Sequence, residues 1–413
     1  MPLPHAVSAQ HGCLRGRAAP HAAGSPWWAR RLPPSGAGAF AMSLDFVAVG
    51  DVGPDRDDPE TIFDAVRDRI RAADLGFCQL EVNLTKRGAR LPQAPHTIRG
   101  KPEIGAALVR AGFEIVSFAG NHCLDWGEEG LLDTIATLES AGAVQVGTGP
   151  TLDAARRPAI IERGGVSVGV LAVNSILPMN YWADERRAGC APLRAHTVYE
   201  QIEHDQPGTP ARIVTYAQRG DLAALVEGVK SLRRQVDVVI VSHHAGIHFV
   251  PAVIPDYQRE VAHAVIDAGA DLVLGHHAHI LKGIEIYKGK TIAYSLANFA
   301  IDLLMDEAHA KSRGFKEIQK LNPDWVPDFS SRYNFPPDSA MSVMVEARLS
   351  KEGIRDVRLV PIMIGKDAMP RIVDPGDPDF ERIRRYLADI SDHERLGSAI
   401  ERDGDRLIVR HRQ

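Results

Sequence analysis

Five short apolar runs in this chain end in side chains able to hold a cation. Phe46-Val-Ala-Val-Gly runs into Asp51, Gly76-Phe-Cys-Gln-Leu into Glu81, and Ile115-Val-Ser-Phe-Ala-Gly into Asn121 and His122. Val238-Val-Ile-Val-Ser runs into His243 and His244, and Leu272-Val-Leu-Gly into His276, His277 and His279. Seven of the 17 histidines (His243, His244, His248, His263, His276, His277 and His279) fall between positions 243 and 279, and imidazole is the commonest metal ligand among side chains. Oxygen and imidazole donors without a thiolate suit Zn, Mn or Fe(II), and there are enough for two divalent ions sharing a bridging carboxylate or amide. Singly, each element is ordinary: Gly-Asn-His is most often a turn and Gly-Asp a loop start. His277 and His279 say more, because alternate residues of an extended segment point to one side and can chelate one centre. Repetition at five strand ends is what points to a metal site. His263 falls inside a helical stretch and reads as a half-buried core residue, and His5, His11 and His21 belong to the N-terminal tail.

Such ends meet only if the runs are neighbouring strands whose C-terminal edge faces a crevice, the place where open α/β sheets bind ligands. The apolar runs do alternate with helical periodicity, which predicts an α/β fold. Strands are expected over 46–49, 76–80, 114–118, 166–173, 236–241, 271–274 and 291–295, and helices over 59–73, 102–111, 128–141, 221–234 and 256–268. Residues 341–349 and 354–364 read as a β pair. The stretch 303–340, rich in Pro, Asp and Ser with aromatics, reads as a long loop over one face. A helix over 378–390 and a strand over 406–409 close the chain.

Composition narrows the class. The chain of 413 residues is 45% hydrophobic and 24% charged, which fits a folded globular protein. No apolar run approaches the ~18 residues of a membrane span. Its cysteines, Cys13, Cys78, Cys123 and Cys190, show no C-x-x-C spacing, so neither a disulfide framework nor a thiolate zinc site is signalled and a reduced, cytoplasmic setting is expected. Residues 1–44 hold four arginines, no acid and no apolar period; a disordered leader is expected there, with residues 1–41 dispensable. Its four arginines removed from a net charge of −5 leave −9, which argues against a nucleic-acid partner.

The same blocks resemble the bacterial capsule-synthesis CapA family, also called poly-γ-glutamate synthesis proteins, which share the calcineurin-like metallophosphatase fold. The likeness spans about 46–302, more weakly to 364. Gly50-Asp51 matches the family's opening Gly-Asp, and Gln79-Leu80-Glu81 its Asn-Leu-Glu. Asn121-His122-Cys123-Leu124-Asp125-Trp126-Gly127 matches Asn-His-x-Leu-Asp-Tyr-Gly. The run ending in Gly275-His276-His277-Ala278-His279 matches Gly-His-His-Pro-His, and Tyr294-Ser295-Leu296-Ala297-Asn298-Phe299 matches Tyr-Ser-Leu-Gly-Asn-Phe. Two positions depart: Gln79 stands for the usual Asn, and His248 where many members have Glu.

The resemblance implies a four-layer α/β/β/α sandwich over residues 45–365, with 366–413 packed on it as an extension. It implies Asp51, Glu81, Asn121, His244, His277 and His279 as ligands of two ions of Mn, Zn or Fe, and His122 as general acid oriented by Asp125. His243, His248, His276 and Asn298 are expected at the substrate. The chemistry implied is two-metal hydrolysis of a phosphoester or amide, linked to poly-glutamate or polyglutamine-type polymer synthesis with a peptide-like or polyglutamyl substrate. Two alternatives differ in class: a metal-dependent peptide epimerase, and a non-catalytic accessory protein of polymer assembly, with any envelope association made through partners.

Overall fold

The computed structural model describes residues 29–31, 43–94, 98–206 and 208–412. Its centre is the strand Ser43–Gly53, buried along nearly all its length. On one side it pairs in parallel with Leu75–Leu80, which is followed by Ile115–Ser117 and Val144–Val146. On the other side it pairs antiparallel with Met341–Ser350, itself paired with Gly353–Ile364. A second sheet sets Val166–Asn174, Val238–His244, Leu272–His276 and Lys290–Ala293 side by side in parallel. These strands read as unbroken apolar runs because both faces are covered.

Their two-residue period decides which layer each side chain enters. In Val238–His244, Val238 and Ile240 join a core shared with Phe46, Ala48 and Phe77 of the first sheet. Val239 and Val241 face outward, against Leu225, Val229 and Leu232 of helix Arg219–Arg233 and Val261 and Val265 of helix Asp256–Asp267. The outer side of the first sheet is covered by Ile104 and Leu108 of Glu103–Ala111 and by Leu131 and Leu138 of Gly127–Ala141. Each fully buried branched side chain contributes about 1.5–3 kcal/mol relative to exposure. The result is the expected four-layer α/β/β/α sandwich.

Several expected elements differ. The helix expected over 59–73 divides into a 3-10 turn, Pro59–Phe63, and a short helix, Arg67–Arg71. Val66, at φ −125° and ψ −11°, leaves helical geometry, and Ile62, Phe63, Val66 and Ile70 are all buried. The stretch 303–340 is no bare loop: it holds helices Glu307–Lys311 and Arg313–Leu321 and packs Met305, Phe315 and Trp325 on Phe249 and Ile280. This cap is tied down by buried Asp302, which receives Arg56 at 2.8 Å and Arg332 at 2.7 Å. A hairpin of Ala195–Glu200 and Arg212–Ala217 has no counterpart among the expected strands, because its mostly exposed residues give no clean alternation.

Within the leader, Ala29–Arg31 runs parallel to Ala159–Arg163 as an edge strand; residues 1–28 and 32–42 lie outside the described residues. At the other end, Arg406–His411 pairs with Gly353–Ile364 and with Ser398–Asp403, so the extension continues the first sheet. Helix Pro378–His393 buries Phe380, Ile383, Leu387 and Ile390 against that sheet's core. Among the described residues, no helix is long and apolar enough to cross a membrane.

Candidate metal centre

The parallel strands of both sheets end at one place, and the chain must approach itself closely there. A Cβ on Gly50 would lie 1.9 Å from the Ala297 carbonyl oxygen, and one on Gly275 2.1 Å from that of Tyr294. Glycine just before Asp51 and just before His276 is therefore a steric requirement of bringing these strand ends together. The backbone is strained where the histidines emerge: His277 has φ +88° and His279 φ +55°, a left-handed region costly for side-chain-bearing residues.

Asp51, Glu81 and His244 each present one ligand atom within 4.8 Å of the others, all from buried residues. Asp51 Oδ2 accepts the His277 N–H at 3.1 Å, while Oδ1 has no hydrogen-bond partner. Glu81 Oε1 lies 3.1 Å from His244 Nε2, yet it too lacks an aligned hydrogen bond. Asn121 Oδ1 is 2.9 Å from the same His244 nitrogen. His244 Nδ1 and His277 Nδ1 are buried and unpartnered as well. Buried polar atoms are almost always paired, so this concentration of orphaned donors fits a set of cation ligands.

Electrostatics agree with that fit. Burial, reinforced by Asp51 and then Asp125, pushes the Glu81 carboxyl well above its usual range. Burial likewise drives His244 and His277 well below the usual imidazole range, helped by the other histidines around them. A neutral imidazole keeps a lone pair to offer, and a cation between the two carboxylates would remove the cost of placing them together.

His279 is turned by its neighbour. Its Nδ1 lies 2.7 Å from Asn298 Oδ1, an acceptor, so Nδ1 holds the proton and Nε2 is left toward Glu81 Oε2 at 4.0 Å. Asn298 in turn donates to the Tyr333 hydroxyl at 2.7 Å. On the opposite side His122 Nδ1 is 2.6 Å from Asp125 Oδ2, and the His122 side chain keeps 30% exposure while Asp125 keeps 2%. His122 is thus an open imidazole whose partner is buried.

All six expected ligands and the His122–Asp125 pair come together. Three of the four residues expected at the substrate do not reach open space: His243, His276 and Asn298 are essentially fully buried. Strand alternation explains this for His243, which points away from His244 and meets Ser175 Oγ at 2.7 Å. His276 tilts against Phe77 between the sheets, and Asn298 is committed to His279. Only His248 lies partly open, its ring centroid 3.8 Å from that of His277 and 5.3 Å from that of His279. His263 pairs with Glu285 at 2.9 Å and stacks on Tyr287, away from the strand ends. Sequence reasoning missed Ser175, Tyr181 and Tyr333, lone residues in irregular segments that no period or spacing marks out.

Comparison with known proteins places these features in a family. The family model described as "Bacterial capsule synthesis protein PGA_cap" matches residues 45–303, which include every residue of the centre. "Uncharacterized protein y4sH" of Sinorhizobium fredii is 28% identical over 89% of this chain and 91% of its own length. "Probable polyglutamine synthesis accessory protein Rv0574c" of Mycobacterium tuberculosis is 34% identical over 56% of each chain. "PGA biosynthesis protein CapA" of Bacillus subtilis is 26% identical over 59% of this chain and 57% of its own. The matched region thus spans a little over half the length of the last two relatives.

Proposed function

Because the chain belongs to the bacterial capsule synthesis protein family PGA_cap, we propose that it is a metal-dependent hydrolase of phosphoester or amide bonds, serving synthesis of a poly-glutamate or polyglutamine-type polymer. The observation that supports this most is the cluster of buried, unpartnered donor atoms on Asp51, Glu81, His244 and His277. With Asn121 and His279 they would hold two divalent ions. What such ions supply when bound is polarisation of the scissile group and acidification of water.

The chain's own residues do the rest. Asp125 fixes the His122 ring through Nδ1, leaving Nε2 to give a proton to the leaving group. Asn298 fixes the tautomer of His279, and Asn121 with Glu81 brackets His244. The His248 ring, next to those of His277 and His279, stacks on buried Phe249, which is backed by Trp325 and Phe335 of the cap.

The test is elemental analysis joined to a substrate panel. Reconstituted protein is expected to bind more than one equivalent of Mn, Zn or Fe and to cleave at least one phosphodiester, phosphomonoester or γ-glutamyl amide. Less than a tenth of an equivalent bound would end the metalloenzyme reading. Full loading with no cleavage, but with solvent deuterium appearing at Cα of a peptide, would replace hydrolysis by epimerisation.

A further inference from the structure

Behind the His122–Asp125 pair stands a third residue that belongs to none of the motif blocks. Tyr181 is fully buried, and its hydroxyl donates to Asp125 Oδ1 at 3.1 Å. Asp125 is thereby clamped at both ends, with His122 on Oδ2 and Tyr181 on Oδ1. We propose that Tyr181 is a positioning residue for the general acid, fixing the Asp125 carboxylate so that His122 presents a single ring orientation to the leaving group. The proposal rests on the hydrolase reading above for its kinetic part alone.

The local fold is built around delivering that hydroxyl. The Tyr181 N–H donates to the Pro178 carbonyl at 3.1 Å, and its own carbonyl receives the Cys190 N–H at 2.9 Å. Ala183 N–H donates back to the Cys190 carbonyl at 2.9 Å, so the segment closes on itself with Tyr181 inside. Gly189 allows this closure: a Cβ there would lie 2.5 Å from the Ala183 nitrogen and 2.7 Å from the Tyr181 carbonyl oxygen. The closed segment rests on the rest of the fold through the pairing of Gly189–Cys190 with Thr148–Gly149. A third contact, from the Leu91 N–H to the Asp125 carbonyl at 2.8 Å, fixes the backbone of the same residue.

A buried carboxylate with only one oxygen satisfied would turn or draw in water, since an orphaned buried acceptor has lost its water without gaining a partner. Turning about the Asp125 side chain would carry Oδ2, and with it the His122 ring. The phenol suits this clamping role, because burial, with Asp125 beside it, pushes its ionisation far above the physiological range and it remains a donor.

The experiment compares the full chain with Tyr181→Phe, which keeps the ring volume. In histidine-labelled protein the Nδ1–H proton of His122, identified by its loss in His122→Ala, is expected as a sharp downfield resonance. In Tyr181→Phe it is expected to broaden or shift, with metal content unchanged, both read well below the melting transition. On a substrate found by the panel, kcat is expected to fall about 10-fold for poor leaving groups and little for good ones, with KM nearly constant. An unmoved His122 resonance would overturn the proposal, and so would a kcat loss equal for all leaving groups. If no substrate is turned over by the wild-type chain, the hydrolase reading fails while the resonance still decides whether Tyr181 positions His122.

Discussion

His122 and His279 are held in parallel ways that differ at one link. Each is gripped at Nδ1 by a buried side chain, and each of those side chains is gripped by a tyrosine, fully buried in one case and half-buried in the other: Tyr181–Asp125–His122 on one side, Tyr333–Asn298–His279 on the other. On the first side the middle link is a carboxylate, able to balance a charged imidazole. On the second it is a neutral amide, which fixes a tautomer; burial keeps His279 below the usual imidazole range, although Asp51, 3.5 Å from the same Nδ1, and the Asn298 hydrogen bond both act to raise it. The open histidine has the partner a proton donor needs, and the enclosed one has the partner a metal ligand needs. Role is therefore written in what lies behind each ring as much as in the ring.

The comparison breaks most visibly when each ring is removed. His279→Ala is expected to lose metal, and His122→Ala to keep it while turnover falls by ~10²–10⁴, the usual contribution of a placed general acid. Metal content and rate measured on the same preparations decide this. Parallel loss of metal from His122→Ala would make His122 a ligand and erase the distinction.

Changing the middle link is the next largest effect. Asn298→Ala is expected to weaken metal affinity by ~10–100-fold, because His279 is then free to turn and to change tautomer. Asp125→Asn should leave affinity within a few-fold and act on kcat. Competition with a chelator, followed by rate measurements at saturating metal, separates the two. A larger affinity loss in Asp125→Asn than in Asn298→Ala would contradict the assignment of the two sides.

How much of this could be read from the sequence follows the same line. That the six expected ligands would meet was legible because each stands at or just past the end of an apolar run, and such a run predicts both the strand and where it stops. The His122–Asp125 pair was legible from its spacing within one turn. The roles of His243, His276 and Asn298 were not, because their side chains turn into the interior, and neighbouring residues at a strand end can face opposite ways. Tyr181 and Tyr333 reach the site from residues 56 and 35 positions away from their partners, through irregular chain whose course only tertiary packing determines. The division of 59–73 was not legible either, since Ile62, Phe63, Val66 and Ile70 would lie on one face of an unbroken helix and nothing in their spacing marks the break at Val66.

A third imidazole with a neutral partner extends the comparison to pH. His243, buried against the Ser175 hydroxyl, the Tyr257 ring and His276, is pushed down to about 3, by burial first and by His276 second. In the unfolded chain an imidazole titrates near 6.5, so below that pH the unfolded state binds a proton the native state refuses. The stability this residue contributes is whole above about pH 6.5 and is lost as pH falls toward 3, at about 1.4 kcal/mol per pH unit. Urea melts of the metal-free protein between pH 7 and 4 are expected to show His243→Gln with a slope shallower by about one proton. Identical slopes would mean that His243 charges in place.

The smallest effect is expected at the far end of the ligand side, and it tests whether the two tyrosines are equivalent. The Tyr333 hydroxyl accepts from Asn298 Nδ2 at 2.7 Å and donates to the Ser339 carbonyl at 2.5 Å. Tyr333→Phe removes both bonds but leaves Asn298 Oδ1 on His279, and the amide is still enclosed on all sides in a residue with no exposed surface. The cost therefore falls on folding, about 1–3 kcal/mol for each of the two groups left unsatisfied, while metal affinity changes by less than 10-fold. Tyr181→Phe differs because the group it releases is a carboxylate whose other oxygen sets an exposed, reacting ring. Denaturant midpoints and metal titrations on both variants give the ranking: Tyr333→Phe the larger loss of stability, Tyr181→Phe the larger loss of kcat. A Tyr333→Phe protein with unchanged stability and a 100-fold weaker metal site would show that the amide cannot hold His279 alone, and that on this side the tyrosine sets the ligand's orientation.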